Sequence, residues 1–487
     1  MLSILGMLSF AEHLNLLERL NTMRVGSGSL TDVFVFRTYS LWSFFQQHLW
    51  SEIRSWSPQK QCTPPSMGLK DWLLRYAALC ISLFSCAWLV LRRPRNALYT
   101  VDIAVGDFKN DPRLHKVYEV LYKQRESFFE IIHGRMNGGL IRRFFSRRRP
   151  VIYLEGIDIL FGLLKSFRLL NLVQFPHIPI DAERFNASET PLVAYLIQTY
   201  KQKAQLSVYR ILFLERVFRM VGTVRVLSID DIRNFHEVIA AARGAHIPSL
   251  VFQHGRFNRH LVGWRYVGID ARLCVMPDRY VVWNQFWREQ LMSLSPLFAL
   301  HAERILIGGS PHKTHYVPMP GTTNGAELHI LIPFEPQADR KEVSSYILAL
   351  LQDPAAHIYF KVRPDASAED QLRGLSDAIT QHPRFACVQQ LTPATLATIN
   401  VVLGSYSTFL YEMVEAQKPV GVLQMQSTQA QDLVEAELAQ LVSVSDIVPT
   451  VRALAELPQD VLARRSSVLR SVDDLHSTLP QILETVT

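Results

Sequence analysis

Three short stretches of the chain hold side chains able to move a proton or hold an anion at the end of a β-strand. In the first, an apolar run over residues 247–252 ends in Gln253, His254, Gly255 and Arg256. A histidine titrates near neutral pH, so His254 at a strand's carboxyl end can take a proton from a hydroxyl nucleophile or donate to a phosphate. It can equally be a structural histidine. Gly255 would let the backbone approach a ligand closely, with Gln253 and Arg256 facing the same cleft. In the second stretch, an apolar run over 400–404 closes at Gly404, passes a small polar turn from Ser405 through Ser407 and Thr408, and enters a helix. The free N–H groups of a helix start favour phosphate, with Ser407 or Thr408 as the N-cap. Glu412, one turn further on, can accept hydrogen bonds from sugar hydroxyls. An ordinary strand-turn-helix unit would carry the same capping residues. The third stretch is Arg363-Pro364, directly after a strand over 357–362. A guanidinium there offers a planar, bidentate fork to phosphate, and the plainer alternative is a surface loop.

Positioning these groups requires strands that end together, and the order of elements supplies them. From residue 96 onward, strands alternate with helices: strands over 97–105, 128–132, 151–154, 224–229, 247–252, 305–310, 328–333 and 357–362, and helices over 180–220 and 344–351. Asp111 would cap a helix with Pro112 at its first position. Asp230 and Asp231 would cap the helix that runs to Arg243, an adjacent pair of metal ligands being the other reading. The alternation predicts an α/β protein of two Rossmann-like open parallel-sheet lobes facing a cleft, over 96–320 and 321–455, hinged over 316–326 and followed by C-terminal helices over 456–487.

At 487 residues with 48% apolar side chains, the chain can bury two or three cores. Its five cysteines, Cys62, Cys80, Cys86, Cys274 and Cys387, form no C-x-x-C pair, which argues against a zinc site or disulfide framework and fits a reducing, cytoplasmic setting. The net charge of +7 is concentrated early: the first 150 residues hold 21 Lys and Arg against 11 Asp and Glu. Residues 1–23 pattern as an amphipathic helix without the basic start and cleavage site of a signal peptide. Residues 60–68 pattern as a linker. Residues 72–91 are apolar except for Arg75 and are followed by Arg92-Arg93-Pro94-Arg95, so they can span a bilayer, lie at its surface or form a buried helix. Residues 1–95 are therefore expected to be a helical, membrane-associated region at the inner face of the membrane. Arg142-Arg143 and Arg147-Arg148-Arg149 would suit the same anionic surface, or a solvated loop. No aromatic-interleaved basic motif points to nucleic acid. There is no Gly-x-Ser-x-Gly, His-Glu-x-x-His, P-loop or Gly-x-Gly-x-x-Gly, which leaves serine hydrolases, zinc proteases, NTPases and nicotinamide enzymes without support.

The small polar turn, Ser407-Thr408, Glu412 and Lys418-Pro419 ahead of an apolar strand resemble the donor-binding unit of the second lobe in GT-B glycosyltransferases. By that resemblance the Ser-Thr pair holds the phosphates of a nucleotide sugar and Glu412 its ribose. Gln417 stands where members of the family often have Gly. Gln253-His254-Gly255, followed by Pro277-Asp278-Arg279-Tyr280, is similar to the end of the first lobe in bacterial surface-polysaccharide transferases, which implies that His254 and Gly255 lie in the cleft. Those families carry Lys-x-His-Pro where this chain has Lys361-Val362-Arg363-Pro364, so positive charge is kept and a proton-transfer role is lost. The resemblance covers roughly residues 97 to 455. It implies a metal-independent glycosyltransferase without a cofactor, using a nucleotide-activated sugar and a surface-glycan or lipid-linked acceptor. A glycerophosphotransferase or sugar-nucleotide 2-epimerase of the same fold, and a non-catalytic glycan- or nucleotide-binding subunit, are the rival readings.

Overall fold

The computed structural model describes residues 10–56, 68–101, 114–134, 150–170, 173–181, 183–230, 235–257, 260, 262–310, 327–336, 338–363, 367–426, 428–470 and 475–485. Short apolar runs, buried along most of their length in the central strands and more open at the sheet edges, pair only with parallel neighbours and sort into two sheets. The first contains β1 (Asn96–Val101), β2 (Phe128–His133), β3 (Val151–Tyr153), β4 (Arg225–Ile229), β5 (Ser249–Phe252), β6 (Arg279–Val282) and β7 (Ile305–Ile307), in the order β7-β6-β5-β4-β1-β2-β3. The second contains β8 (Leu328–Pro333), β9 (Ala356–Lys361), β10 (Phe385–Val388), β11 (Val401–Gly404), β12 (Val420–Leu423) and β13 (Gln440–Val442), in the order β10-β9-β8-β11-β12-β13. In both sheets the direction of winding reverses between the first strand and the fourth. A doubly wound sheet opens its ligand crevice at that point, outside the carboxyl ends of the strands. The two Rossmann-like open parallel sheets expected from the alternation are therefore present.

The helix expected over 180–220 occupies only Thr190–Val221. Residues before it stay out because the Asn186 side chain already accepts from the N–H groups of Ser188 and Glu189 at 3.1 and 2.9 Å, and Pro191 stands in the first turn. The helix start at Asp111, the basic clusters at 142–149, the hinge at 316–326, Asp231 and Pro364 lie outside the described residues.

Residues 10–56 are not a detached unit. The helices Phe10–Asn21 and Gln46–Ser55, with two short hairpins and a 3-10 turn between them, bury Leu16, Leu20, Trp42, Leu49 and Ile53 in the core of the first sheet. Asn21 ties them to it: its side chain accepts from Trp42 Nε1 at 2.8 Å and donates to Gln46 Oε1 at 2.8 Å and to the carbonyl of Val267 at 2.6 Å. At the other end of the chain, the helix Leu475–Thr485 returns to the first lobe. Thr478 Oγ1 donates to the Gly308 carbonyl at 2.7 Å, and Arg225 Nη1 donates to that of Leu483 at 3.0 Å.

The apolar helix Leu69–Arg92 lies along the outer strand β3. Ser85 Oγ accepts from the Val151 N–H at 3.0 Å and Ser82 Oγ from that of Tyr153 at 2.9 Å, so two hydroxyls cover donors that an edge strand would otherwise leave open. A helix bonded in this way to a sheet edge has one face covered by protein. Its approach depends on Gly156, where a Cβ would lie 2.7 Å from the carbonyl carbon and oxygen of Ala78. Gly156→Val should therefore lower unfolding free energy by about 1–3 kcal/mol, the usual range for overpacking. Denaturant titration checks this, and an unchanged midpoint would mean that the two helices separate without cost.

Candidate active site

β4 and β5 are neighbours, with Ile229 opposite Phe252, so the residues just beyond their ends meet. Asp230 follows β4 and His254 lies two residues beyond β5. The Asp230 carboxylate is buried and accepts from the His254 N–H at 2.8 Å, from His254 Nδ1, and from the Tyr280 hydroxyl at 2.8 Å. Burial above all, and the Asp230 charge next, push the Tyr280 phenol well above its ordinary value, so it stays protonated and donates. A proton on Nδ1, shared with Asp230, leaves Nε2 as the basic nitrogen of the ring, and the side chain keeps 30% of its surface exposed. A buried carboxylate bonded to a partly exposed imidazole is the arrangement of an oriented general base. Asp230 is thus the partner of a histidine, while Asp231, the other acid of the pair, lies outside the described residues. Among the described residues no three His, Cys, Asp or Glu side chains are grouped to hold a metal ion.

The rest of the loop has other work. Gln253, expected to line the cleft, is fully buried: its side chain donates to the Gly255 carbonyl at 2.7 Å and accepts from the Trp283 N–H at 3.0 Å, which ties the loop to the end of β6. Gly255 is not forced by crowding, since a Cβ there would meet nothing within 4 Å. Arg256 crosses to the second lobe, with Nη2 donating to Gln429 Oε1 at 2.9 Å and the guanidinium 5.5 Å from the centre of the Tyr406 ring. Nearby, the rings of Trp287 and Tyr411 lie 4.9 Å apart. The loop after β5 therefore touches the turn after β11, so the two sheets present carboxyl edges to each other.

On the second lobe, Ser407 is the N-cap of the helix Thr408–Glu415, its hydroxyl accepting from the Phe409 N–H at 3.2 Å. That helix ends in a Schellman turn with Gln417 in the left-handed position (φ 59°), Gln417 N–H donating to Val414 and Lys418 N–H to Met413. Lys418 is buried under the sheet, donates to the Ile399 carbonyl at 3.0 Å, and is pushed down to about 8 by burial. The amides expected to hold phosphate are filled from within the protein. Glu335, buried two residues beyond β8, accepts from the N–H groups of Ser405 at 2.8 Å, Tyr406 at 2.9 Å and Ser407 at 2.7 Å, and from the Ser405 hydroxyl at 2.6 Å. Gly404 makes room for it: a Cβ there would lie 3.2 Å from Glu335 Oε1. Gly404 and Ser405 are thereby structural, and Thr408 is the half-exposed first residue of the helix. Sequence reasoning did not single out Glu335; an acidic residue directly after a buried strand was its only signal.

Positive charge on this edge comes from side chains. Arg363, beyond β9, is exposed, and its backbone is clamped by Gln371, which accepts from its N–H at 2.6 Å and donates to its carbonyl at 2.7 Å. Lys361 Nζ lies 5.2 Å from the centre of the Phe409 ring and pulls on the charge of Glu412. Glu412 is closely surrounded yet keeps part of its surface open, as at the floor of a crevice, and burial pushes its carboxyl up to about 7. Glu415 is pushed up to about 8, first by burial and then by Glu412, against Lys116 and Arg470. The fixed negative charge expected at Glu412 is therefore a group that titrates near neutrality.

No family model and no curated protein matches the chain. Similar solved structures include the calicheamicin glycosyltransferase CalG4, with TM-score 0.49 and 14% identity over 81% of this chain and 98% of that one. The glycotransferase of kitacinnamycin has TM-score 0.48 and 13% identity over 80% and 99% of the two chains. The UDP-GlcNAc 2-epimerase of Neisseria meningitidis bound to UDP-GlcNAc has TM-score 0.46 and 12% identity over 80% and 99%. The two facing sheets give the chain a GT-B-like fold, and its chemistry rests on its own residues.

Glu335→Gln keeps the size of the side chain and removes the charge that three amides and a hydroxyl share. It should cost about 1.5–3 kcal/mol, the worth of hydrogen bonds to a charged group. Thermal and denaturant unfolding check this. A variant as stable as the parent would mean that the turn holds its shape without the carboxylate.

Proposed function

We propose that the protein is a glycosyltransferase that moves a sugar from a nucleotide-activated donor to a hydroxyl of a surface-glycan or lipid-linked acceptor. The observation that carries this reading is the Asp230–His254 pair, set at the carboxyl edge of one doubly wound sheet and facing the carboxyl edge of another. His254 Nε2 takes the proton of the acceptor hydroxyl as the new glycosidic bond forms, and Asp230 steadies the imidazolium. The donor's phosphates lie on the second lobe. Arg363, with Lys361 behind it, meets the negative charge that grows as the donor's glycosidic bond breaks, and the start of the helix at Thr408 adds its dipole. Glu412, with a carboxyl near neutrality, hydrogen-bonds the ribose in either protonation state.

Incubation with a panel of nucleotide sugars and a membrane extract, read by mass spectrometry, should show one acceptor gaining one glycosyl mass. A new sugar-nucleotide isomer formed without acceptor would make the protein an epimerase, and nucleotide binding without any product would make it a binding subunit. His254→Ala and Asp230→Asn should each lower turnover about 10²–10⁴-fold while leaving the nucleotide-induced rise in melting temperature in place. Arg363→Ala should cost on the order of 3 kcal/mol in the transition state, and Arg363→Lys less. Turnover within a few-fold of the parent in the two dyad variants would remove the base assignment.

A further inference from the structure

The helix Leu69–Arg92 turns an apolar stripe away from the protein. Its buried residues Ala78, Leu79, Ser82, Ser85 and Leu89 form one face, against β3 and the helix Leu154–Ser166. On the opposite face Leu73, Cys80, Phe84, Ala87 and Leu91 follow one another at helical spacing, and Leu73, Phe84 and Leu91 are 62%, 61% and 84% exposed. A surface helix of a water-soluble protein carries polar residues there. Here the charges stand only at the ends: Lys70, Asp71 and Arg75 at one, and Arg92, Arg93 and Arg95 at the other. The neighbouring helix Leu154–Ser166 runs the opposite way, since Gly156 meets Ala78 while Tyr153 meets Ser82, and it ends in exposed Phe167, Arg168 and Leu169.

The geometry points to this face as a membrane-docking surface, with the helix lying in the plane of an anionic bilayer for its whole length of roughly 36 Å. The apolar stripe enters the boundary between headgroups and acyl chains, and the basic residues at both ends meet lipid phosphates. Charge argues for lipid over a second copy of this chain. Two copies joined through this face would bring five basic residues of each, offset by one aspartate, against the same five of the other. The proposal does not depend on the reaction assigned above, because its readout is partition and not turnover.

Flotation of the full-length protein with vesicles tests it. The protein should float with phosphatidylcholine vesicles containing about a quarter phosphatidylglycerol, and roughly tenfold less with pure phosphatidylcholine or at high salt. A triple variant, Leu73→Asp with Phe84→Asp and Leu91→Asp, alters only exposed positions. It should keep the parent's melting temperature and float about tenfold less or weaker still. A second variant, Arg92→Glu with Arg93→Glu, should lose the preference for phosphatidylglycerol. Alkaline carbonate should strip the parent protein from the vesicles, as it strips proteins that lie on a bilayer. The proposal is overturned if the parent fails to float, if the triple variant floats as well as the parent, or if carbonate leaves the protein in the bilayer. It is also overturned if light scattering shows a dimer that the triple variant abolishes.

Discussion

An ionised carboxylate buried without partners costs several kcal/mol, so Asp230 constrains everything around it. Its donors come from two further strands: the backbone and ring of His254 beyond β5, and Tyr280 within β6. They converge only because β4, β5 and β6 are adjacent and in register, Ile229 beside Phe252 and Phe252 beside Val281. That register depends in turn on helices covering both faces of the sheet. The second lobe repeats the device. Glu335 beyond β8 engages the turn beyond β11, its neighbour, with Ile330 beside Val401. In each lobe an acid after one strand fixes the loop after the next, and Arg256 joins the two loops across the cleft.

Periodicity and turn residues made the α/β alternation legible, because strands buried on both faces read as unbroken apolar runs. His254, Ser407 as N-cap and Arg363 at a strand end were legible for the same reason: each is fixed by its immediate neighbours in the chain. The partners were not. Asp230 and His254 are separated by 24 positions, and Glu335 and Ser405 by 70, and what joins them is strand order, which a single sequence does not display. The turn at 405–407 therefore looked open to phosphate when its amides already had a carboxylate. Gln253 looked like a cleft residue because its place after the strand was visible and its bonds to Trp283 and Gly255 were not.

The first 95 residues show the limit of composition. The aromatic-rich part joins the first lobe through contacts such as Asn21 with Val267, far along the chain. In Leu69–Arg92, two serines in an otherwise apolar run reveal the face that covers β3, while length and composition alone left a span, a surface helix and a buried helix open. A single helix thus closes a sheet edge and leaves an apolar face outward. That combination follows from the spacing of Ser82 and Ser85 once β3 is known to be an edge.

The central claim is that Asp230 holds a proton on His254 Nδ1 and leaves Nε2 as the unprotonated nitrogen of the ring. Nitrogen-15 NMR of the histidine rings, with His254 assigned by comparison with a His254→Gln variant, reads this directly. At a pH where the ring is neutral, the account predicts a protonated Nδ1 and an unprotonated Nε2, with the preference lost in Asp230→Asn. An Nε2-protonated ring in the parent protein would contradict it.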